Sequence, residues 1–223
     1  MVLLGSKLNK LERYFIIYKP YKMISQFISP YKQRLLGDLG YDFPEGTNAV
    51  GRLDNDSEGL IILTTDKSLA NRLLHPTRKH KRSYIVQVER KVEEEALKKL
   101  REGLNILVKK KGVYTTQPCE VTLINKPKDL PFREHTFREE LPQSWLEFVL
   151  TEGKNRQIRK MCSAVRHDCK RLIRTKIENL ELGQMQPGEV KEIEQKELFE
   201  LLLLTDDVMP ITRWNTDDAD RAD

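Results

Sequence analysis

The sequence predicts a strand-rich α+β domain, and three observations carry that prediction. Runs rich in β-branched and aromatic residues recur at Tyr14 to Tyr18, Ser83 to Val88 and Trp145 to Thr151. An unbroken apolar run, Leu60 to Leu63, follows a turn-rich segment and reads as a buried strand. Between these lie short stretches of helical periodicity: Leu69, Leu73 and Leu74; Val92, Ala96, Leu97 and Leu100; Ile158, Met161, Cys162 and Val165. Such a pattern agrees with many α+β folds and singles out none.

Residues 1–12 form a short lead-in. The first strand, Tyr14 to Tyr18, is stopped at Lys19-Pro20 because proline has no N–H to give to a ladder. Tyr21 to Asp42 reads as loop with a short helix at Lys32 to Leu39. The stretch from Gly51 to Asp66 then holds a polar cluster against the core. If Gly51 to Asp54 is extended, Arg52 and Asp54 share one side and Leu53 turns inward, because side chains alternate along an extended chain. A plain turn is the ordinary reading of so many Gly and Asp residues. Calcium fits worse: Asp54, Asp56 and Glu58 match the first ligand positions of an EF-hand loop, but its twelfth position holds Thr65 where a bidentate Glu is required.

Asp66 is placed to cap a helix that runs through Leu74 and ends before Pro76. The basic run Thr77 to Arg82 feeds into the strand that carries Tyr84, whose ring serves either the core or the stacking of a base. A helix over Val92 to Leu100 ends at Gly103. Leu104 to Ile124 reads as strands broken at Lys109-Lys110-Lys111-Gly112. Asn125 to Ser144 is a long proline-punctuated loop, a length that marks function or disorder. After the strand Trp145 to Thr151, Asn155 is expected to cap a helix with Arg156, Arg159 and Lys160 on one side and Ile158, Met161 and Cys162 on the other. Arg171 to Ile173 and Leu180 to Leu182 are β-like, Lys196 to Leu204 is helical, and 206–223 is an acidic tail expected to be disordered.

The 223 residues suffice for a sizeable core. The net charge is +5, and Thr216 to Asp223 contributes four Asp and one Arg, so the remainder of the chain stands at +8 and suits a polyanionic partner. No apolar run approaches the roughly 20 residues that span a bilayer, and no signal-like segment opens the chain. A cytoplasmic protein without membrane attachment is therefore expected. The three cysteines, Cys119, Cys162 and Cys169, form no CxxC pair, and Cys162, His167 and Cys169 match no common zinc spacing.

Three stretches occur together in order: Gly51-Arg52-Leu53-Asp54 with Gly59-Leu60-Ile61-Ile62-Leu63-Thr64; Arg82-Ser83-Tyr84-Ile85-Val86-Gln87-Val88; and Glu152-Gly153-Lys154-Asn155-Arg156-Gln157-Ile158-Arg159-Lys160-Met161. In this the chain resembles the RsuA/RluB/RluE/RluF family of rRNA pseudouridine synthases, from about Tyr14 to Val190. Most members carry an S4 RNA-binding domain, for which a dozen leading residues are too few, and Asp56-Ser57-Glu58-Gly59, Pro131-Phe132-Arg133-Glu134 and Pro142-Gln143-Ser144-Trp145-Leu146 look like the branch without it. Two departures, Asn55 where a basic residue is frequent and Arg82 where lysine is usual, bear on RNA preference.

The resemblance implies the pseudouridine synthase fold, a long mixed, mostly antiparallel sheet with flanking helices and a central RNA-binding cleft, over one catalytic domain at 13–205. It implies the isomerisation of a uridine in large-subunit rRNA, without cofactor or metal, by a monomer. Asp54 would be the catalytic carboxylate, acting at C1′ as nucleophile or at C2′ as base; Tyr84 would stack on the uracil, and Arg159 would pair with Asp54. Arg52 would fill the space left by the flipped base or contact phosphate, and Lys81, Arg82, Arg156 and Lys160 would add sequence-blind affinity. The competing readings are the same reaction on small-subunit rRNA or tRNA, and a non-catalytic rRNA-binding or assembly protein.

Overall fold

The computed structural model describes residues 11–75, 77–108, 112–133, 138 and 140–204. The expected tail at 206–223, most of the lead-in, the lysines 109–111 and Pro76 lie outside the described residues. Strands β1 (Tyr14–Lys19), β2 (Asn48–Val50), β3 (Glu58–Thr64), β4 (Arg82–Glu89), β5 (Asn105–Val108), β6 (Gly112–Thr115), β7 (Glu120–Ile124), β8 (Gln143–Leu150), β9 (Cys169–Ile177), β10 (Leu180–Glu181) and β11 (Val190–Ile193) alternate with helices α1 (Leu69–Leu74), α2 (Glu94–Glu102), α3 (Gln157–Ala164) and α4 (Gln195–Leu201).

One sheet runs β11-β1-β3-β9-β4-β8-β7, with β2 and β10 added on β3 and β9, and β5 and β6 form a separate hairpin. All its pairings are antiparallel except β3 with β9, whose register pairs are Glu58↔Ile173 and Gly59↔Arg174. This is the mixed, mostly antiparallel α+β sheet that the family resemblance implies. The parallel junction depends on Gly59: its φ is 105°, and a Cβ there would lie 2.3 Å from the Arg174 carbonyl oxygen. Only glycine lets the two strands meet that closely.

Two cores flank the β1–β3 half. On one face α1 and α4 bury Leu69, Leu73, Leu198 and Phe199 against Leu60, Ile62 and Ile173; on the other, Phe15, Ile17, Ile61 and Leu63 pack beneath Phe27, Tyr41 and Phe43. A third core joins α2 and α3 to β4 and β8 through Leu97, Leu100, Ile158, Met161, Val86, Leu146 and Phe148. Each cluster places apolar side chains at the helical or alternating spacing read from the sequence.

Three local expectations change. The helix expected at Lys32 to Leu39 shrinks to a 3-10 turn at Leu36–Leu39, because a bridge between Met23 and Arg34 keeps the preceding chain out of helix. Asp66 does not cap α1; its Oδ1 accepts from the Ser68 N–H at 2.7 Å and closes a turn, so the helix begins at Leu69. Asn155 is not the N-cap of α3, as that place is taken by Arg156, with φ 51° and ψ 33° in the left-handed region.

Candidate active site

Gly51, with φ 75°, turns the chain out of β2 and into the segment that carries Asp54. Leu53 is buried, as its inward position predicts. Ser25 grips the same peptide on both sides: the Leu53 N–H donates to Ser25 Oγ at 3.0 Å, and that hydroxyl donates to the Leu53 carbonyl at 2.9 Å. A turn closed by the Ser57 N–H on the Asp54 carbonyl, at 3.0 Å, fixes the other flank. Asp54 is thus aimed by its backbone, its side chain 31% exposed, with Arg52 exposed beside it. Ser25→Ala strands the buried Leu53 amide, and a loss of about 1–3 kcal/mol is expected in a denaturant titration; an unmoved midpoint would remove the clamp from this account.

The arginines of α3 converge on this turn. Arg156 donates from Nη1 and Nη2 to both oxygens of Asp56 at 2.8 Å, and its Nη1 lies 3.6 Å from Asp54 Oδ2. Its left-handed backbone is a strained state of the kind that clusters at functional sites. Arg159 donates from Nη2 to the Asp56 carbonyl at 2.6 Å, and its Nε is 3.4 Å from Asp56 Oδ2. The pair expected between Arg159 and Asp54 is therefore corrected: Arg159 pairs with Asp56, and the salt bridge to Asp54 comes from Arg156. Burial opposes ionisation of Asp56, but the hydrogen bonds from Arg156 and the charges of Arg159 and Arg156 outweigh it and hold the carboxyl below its ordinary range.

Lys19, read from sequence only as the end of a strand, is fully buried and donates to the carbonyls of Pro20 and Met23 at 2.9 and 2.6 Å. Burial lowers its pKa to about 8, against the opposing charges of Glu58, Asp54 and Asp56. Unfolded, the lysine keeps its proton to about 10.5, so between about 8 and 10.5 unfolding takes up a proton and this group increasingly favours the folded state as pH rises. Over the same window the folded lysine loses the positive charge that interacts electrostatically with Glu58, Asp54 and Asp56. Turnover is expected to fall as pH passes about 8; an activity level up to pH 10 would exclude a role for this charge.

Tyr84 lies on β4 beside β9, where its register partner is Arg174, itself paired with Gly59 of β3. The ring is half-buried and packs against the α2–α3 core. Arg174 is buried, donates from Nε to the Leu60 carbonyl at 2.7 Å, and leaves Nη2 without a hydrogen-bond partner. Burial pushes its guanidinium below the ordinary pKa, and the Tyr84 phenol opposes that shift. Arg174 links β3, the strand that follows the Asp54 turn, to the strand of Tyr84, a role that only the register shows.

The remaining cations disperse. Lys81 pairs with Glu120 of β7 at 3.2 Å, Arg82 reaches the Leu73 carbonyl at 3.4 Å, and Lys160 folds back on the Asn155 carbonyl at 2.7 Å. Of the basic residues named from sequence, Arg156 and Arg159 are brought to the Asp54 turn, whereas Lys81 stands toward the β7 edge. Glu152 and Gln157 are framework: Glu152 accepts from Gln157 Nε2 at 2.6 Å and from the Gln117 N–H at 2.9 Å, tying α3 to the segment after the β5–β6 hairpin. Among the described residues no group of three or more His, Cys, Asp or Glu could hold a metal ion, and no helix is long and apolar enough to cross a membrane.

Comparison with known proteins meets this geometry. Residues 13–164 match the family model described as RNA pseudouridylate synthase. The chain is 39% identical over 179 residues to the ribosomal large subunit pseudouridine synthase E of Xanthomonas axonopodis pv. citri, covering 77% of this chain and 89% of that one. It is 38% identical over 183 residues to the protein of the same name from Vibrio parahaemolyticus, covering 80% and 73%. A crystal structure of a pseudouridylate synthase superposes with a TM-score of 0.66 at 24% identity, over 86% of this chain and 74% of that one, and shows the same fold. With the Gly51–Asp54 turn, the Tyr84 strand and the α3 arginines set around one sheet junction, the chain belongs to the RNA pseudouridylate synthase family.

Proposed function

We propose that this enzyme isomerises a uridine of large-subunit rRNA to pseudouridine, with Asp54 as the catalytic carboxylate. The C1′–N1 bond breaks, the uracil turns, C1′ bonds to C5, the C5 proton leaves and N1 gains a proton, so the product has the mass of the substrate. One observation carries the assignment of the carboxylate. Both oxygens of Asp56 are gripped by Arg156 through 2.8 Å hydrogen bonds and Glu58 is buried, whereas Arg156 stands farther from Asp54, at 3.6 Å. Asp54 acts on the ribose, as nucleophile at C1′ or base at C2′.

Tyr84 stacks on the detached uracil, and Arg159 is a positioning residue that acts through Asp56. The target base must leave its stack to bring its glycosidic bond to Asp54, and exposed Arg52 is placed to hold the flipped nucleotide. The relatives from Xanthomonas and Vibrio are named as pseudouridine synthases of the ribosomal large subunit, which supports large-subunit rRNA as the substrate. No cofactor enters this scheme, and the site of action is the cytoplasm. The test is tritium release from C5-labelled uridine in unmodified large-subunit rRNA, small-subunit rRNA and tRNA. Release from large-subunit rRNA alone is expected; release from another class would replace the substrate, and release from none would leave a binding protein.

A further inference from the structure

The loop between β7 and β8 holds an exposed aromatic ring on a buried ionic anchor. Phe132 is 86% exposed, yet both of its neighbours are tied down. The Pro131 carbonyl accepts from Arg171 Nη2 at 3.0 Å. Arg133 is buried; its Nη1 and Nη2 each donate to the Lys170 carbonyl at 3.2 Å, its Nη1 lies 3.4 Å from Glu58 Oε1, and its guanidinium sits 4.6 Å from the centre of the Tyr21 ring. Arg171 completes the anchor by donating to both Glu58 oxygens at 3.0 and 2.8 Å.

This anchor adjoins the candidate active site. Glu58 begins β3 directly after the Asp54–Ser57 turn, and the carbonyl next to that of Lys170, on Cys169, accepts from Arg159 at 3.3 Å. Two guanidiniums from different parts of the chain thus hold successive carbonyls of β9, one serving the Asp56 turn and the other the Phe132 segment. Burying Arg133 and Arg171 around one carboxylate is an expensive way to order a surface loop. Its result is a hydrophobic ring that meets water on a segment clamped on both sides, so docking a flat partner there costs little further ordering entropy.

We propose that Phe132 is a base-stacking platform for the substrate RNA, holding a nucleotide near the flipped uridine. The proposal rests on the RNA-modifying reading of the Asp54 site. A nucleobase fits the position because extruding a uridine unstacks its neighbours, and an exposed aromatic face is what an unstacked base stacks on. The chain's positive balance supplies the matching attraction for the backbone.

The test compares the full chain with Phe132→Ala, Phe132→Leu and Phe132→Tyr on transcribed, unmodified large-subunit rRNA, measuring dissociation constants and KM for tritium release, with thermal unfolding as a control. Phe132→Ala is expected to weaken binding and raise KM by on the order of tenfold, with a much smaller change in kcat. Phe132→Tyr should restore binding and Phe132→Leu should not. Arg133→Ala should weaken binding as Phe132→Ala does, and the double variant should lose little more. Unchanged binding by Phe132→Ala, or full rescue by Leu, would overturn the platform. If the unmutated chain releases no tritium but binds RNA in a Phe132-dependent way, the enzymatic reading falls and the platform stands. If it releases tritium and Phe132→Ala is indistinguishable, the platform falls and the enzymatic reading stands.

Discussion

Asp54→Asn is expected to reduce turnover by at least about 10³-fold while leaving affinity for rRNA within a few fold. The amide has nearly the shape of the acid, and the backbone clamps on Leu53 and Ser57 do not involve the side chain, so the turn stays in place. It can neither attack C1′ nor take a proton from C2′. The basic residues proposed to meet phosphate are untouched, and the salt dependence of binding should be preserved. Tritium release and filter binding on the same RNA read the two quantities separately. Residual activity within tenfold of the unmutated enzyme would move the chemistry away from Asp54.

Glu58→Gln is expected to be the most destabilising single change in the site, by about 3–5 kcal/mol, because it leaves two buried guanidiniums without their carboxylate. Arg171 loses a bidentate partner and Arg133 loses its 3.4 Å counter-charge, both behind the first residue of β3. The turn that aims Asp54 enters that strand, so activity should fall together with stability. Denaturant unfolding monitored by tryptophan fluorescence checks the first effect. A shift below about 1 kcal/mol would mean that the cluster is solvated and holds little in place.

The fold was legible where its signals are local. β1, β3, β4 and β8 lie where apolar alternation or an unbroken apolar run placed them, within a residue or two at each end, and Gly103 closes α2 as expected. Strand β11, Val-Lys-Glu-Ile, is too short and too charged to stand out, although it covers the β1 edge with four register pairs. The parallel contact of β3 with β9 has no sequence signature, since two register pairs make it and a glycine permits it.

In the candidate site, Asp54, Tyr84 and the α3 arginines stand out in the sequence because their motifs are compact. Ser25, Glu58, Arg133, Arg171 and Arg174 do not, because each is tied to the site by contacts that close only when the sheet forms, and the burial of Lys19 shows only in the fold. Glu58 and Arg171 are 113 positions apart. Asp56 is visible in the sequence, but there it reads as part of a turn or an incomplete calcium loop. Its true partner depends on the backbone of Arg156 turning left-handed, which periodicity cannot show.

The central claim is tested most directly by digesting large-subunit rRNA to nucleosides after incubation with the purified chain and separating pseudouridine from uridine. The account predicts a stoichiometric gain of pseudouridine, matched by loss of uridine, with the unmutated chain and none with Asp54→Asn. Tight binding of the RNA with no pseudouridine formed, or equal formation by Asp54→Asn, would contradict it.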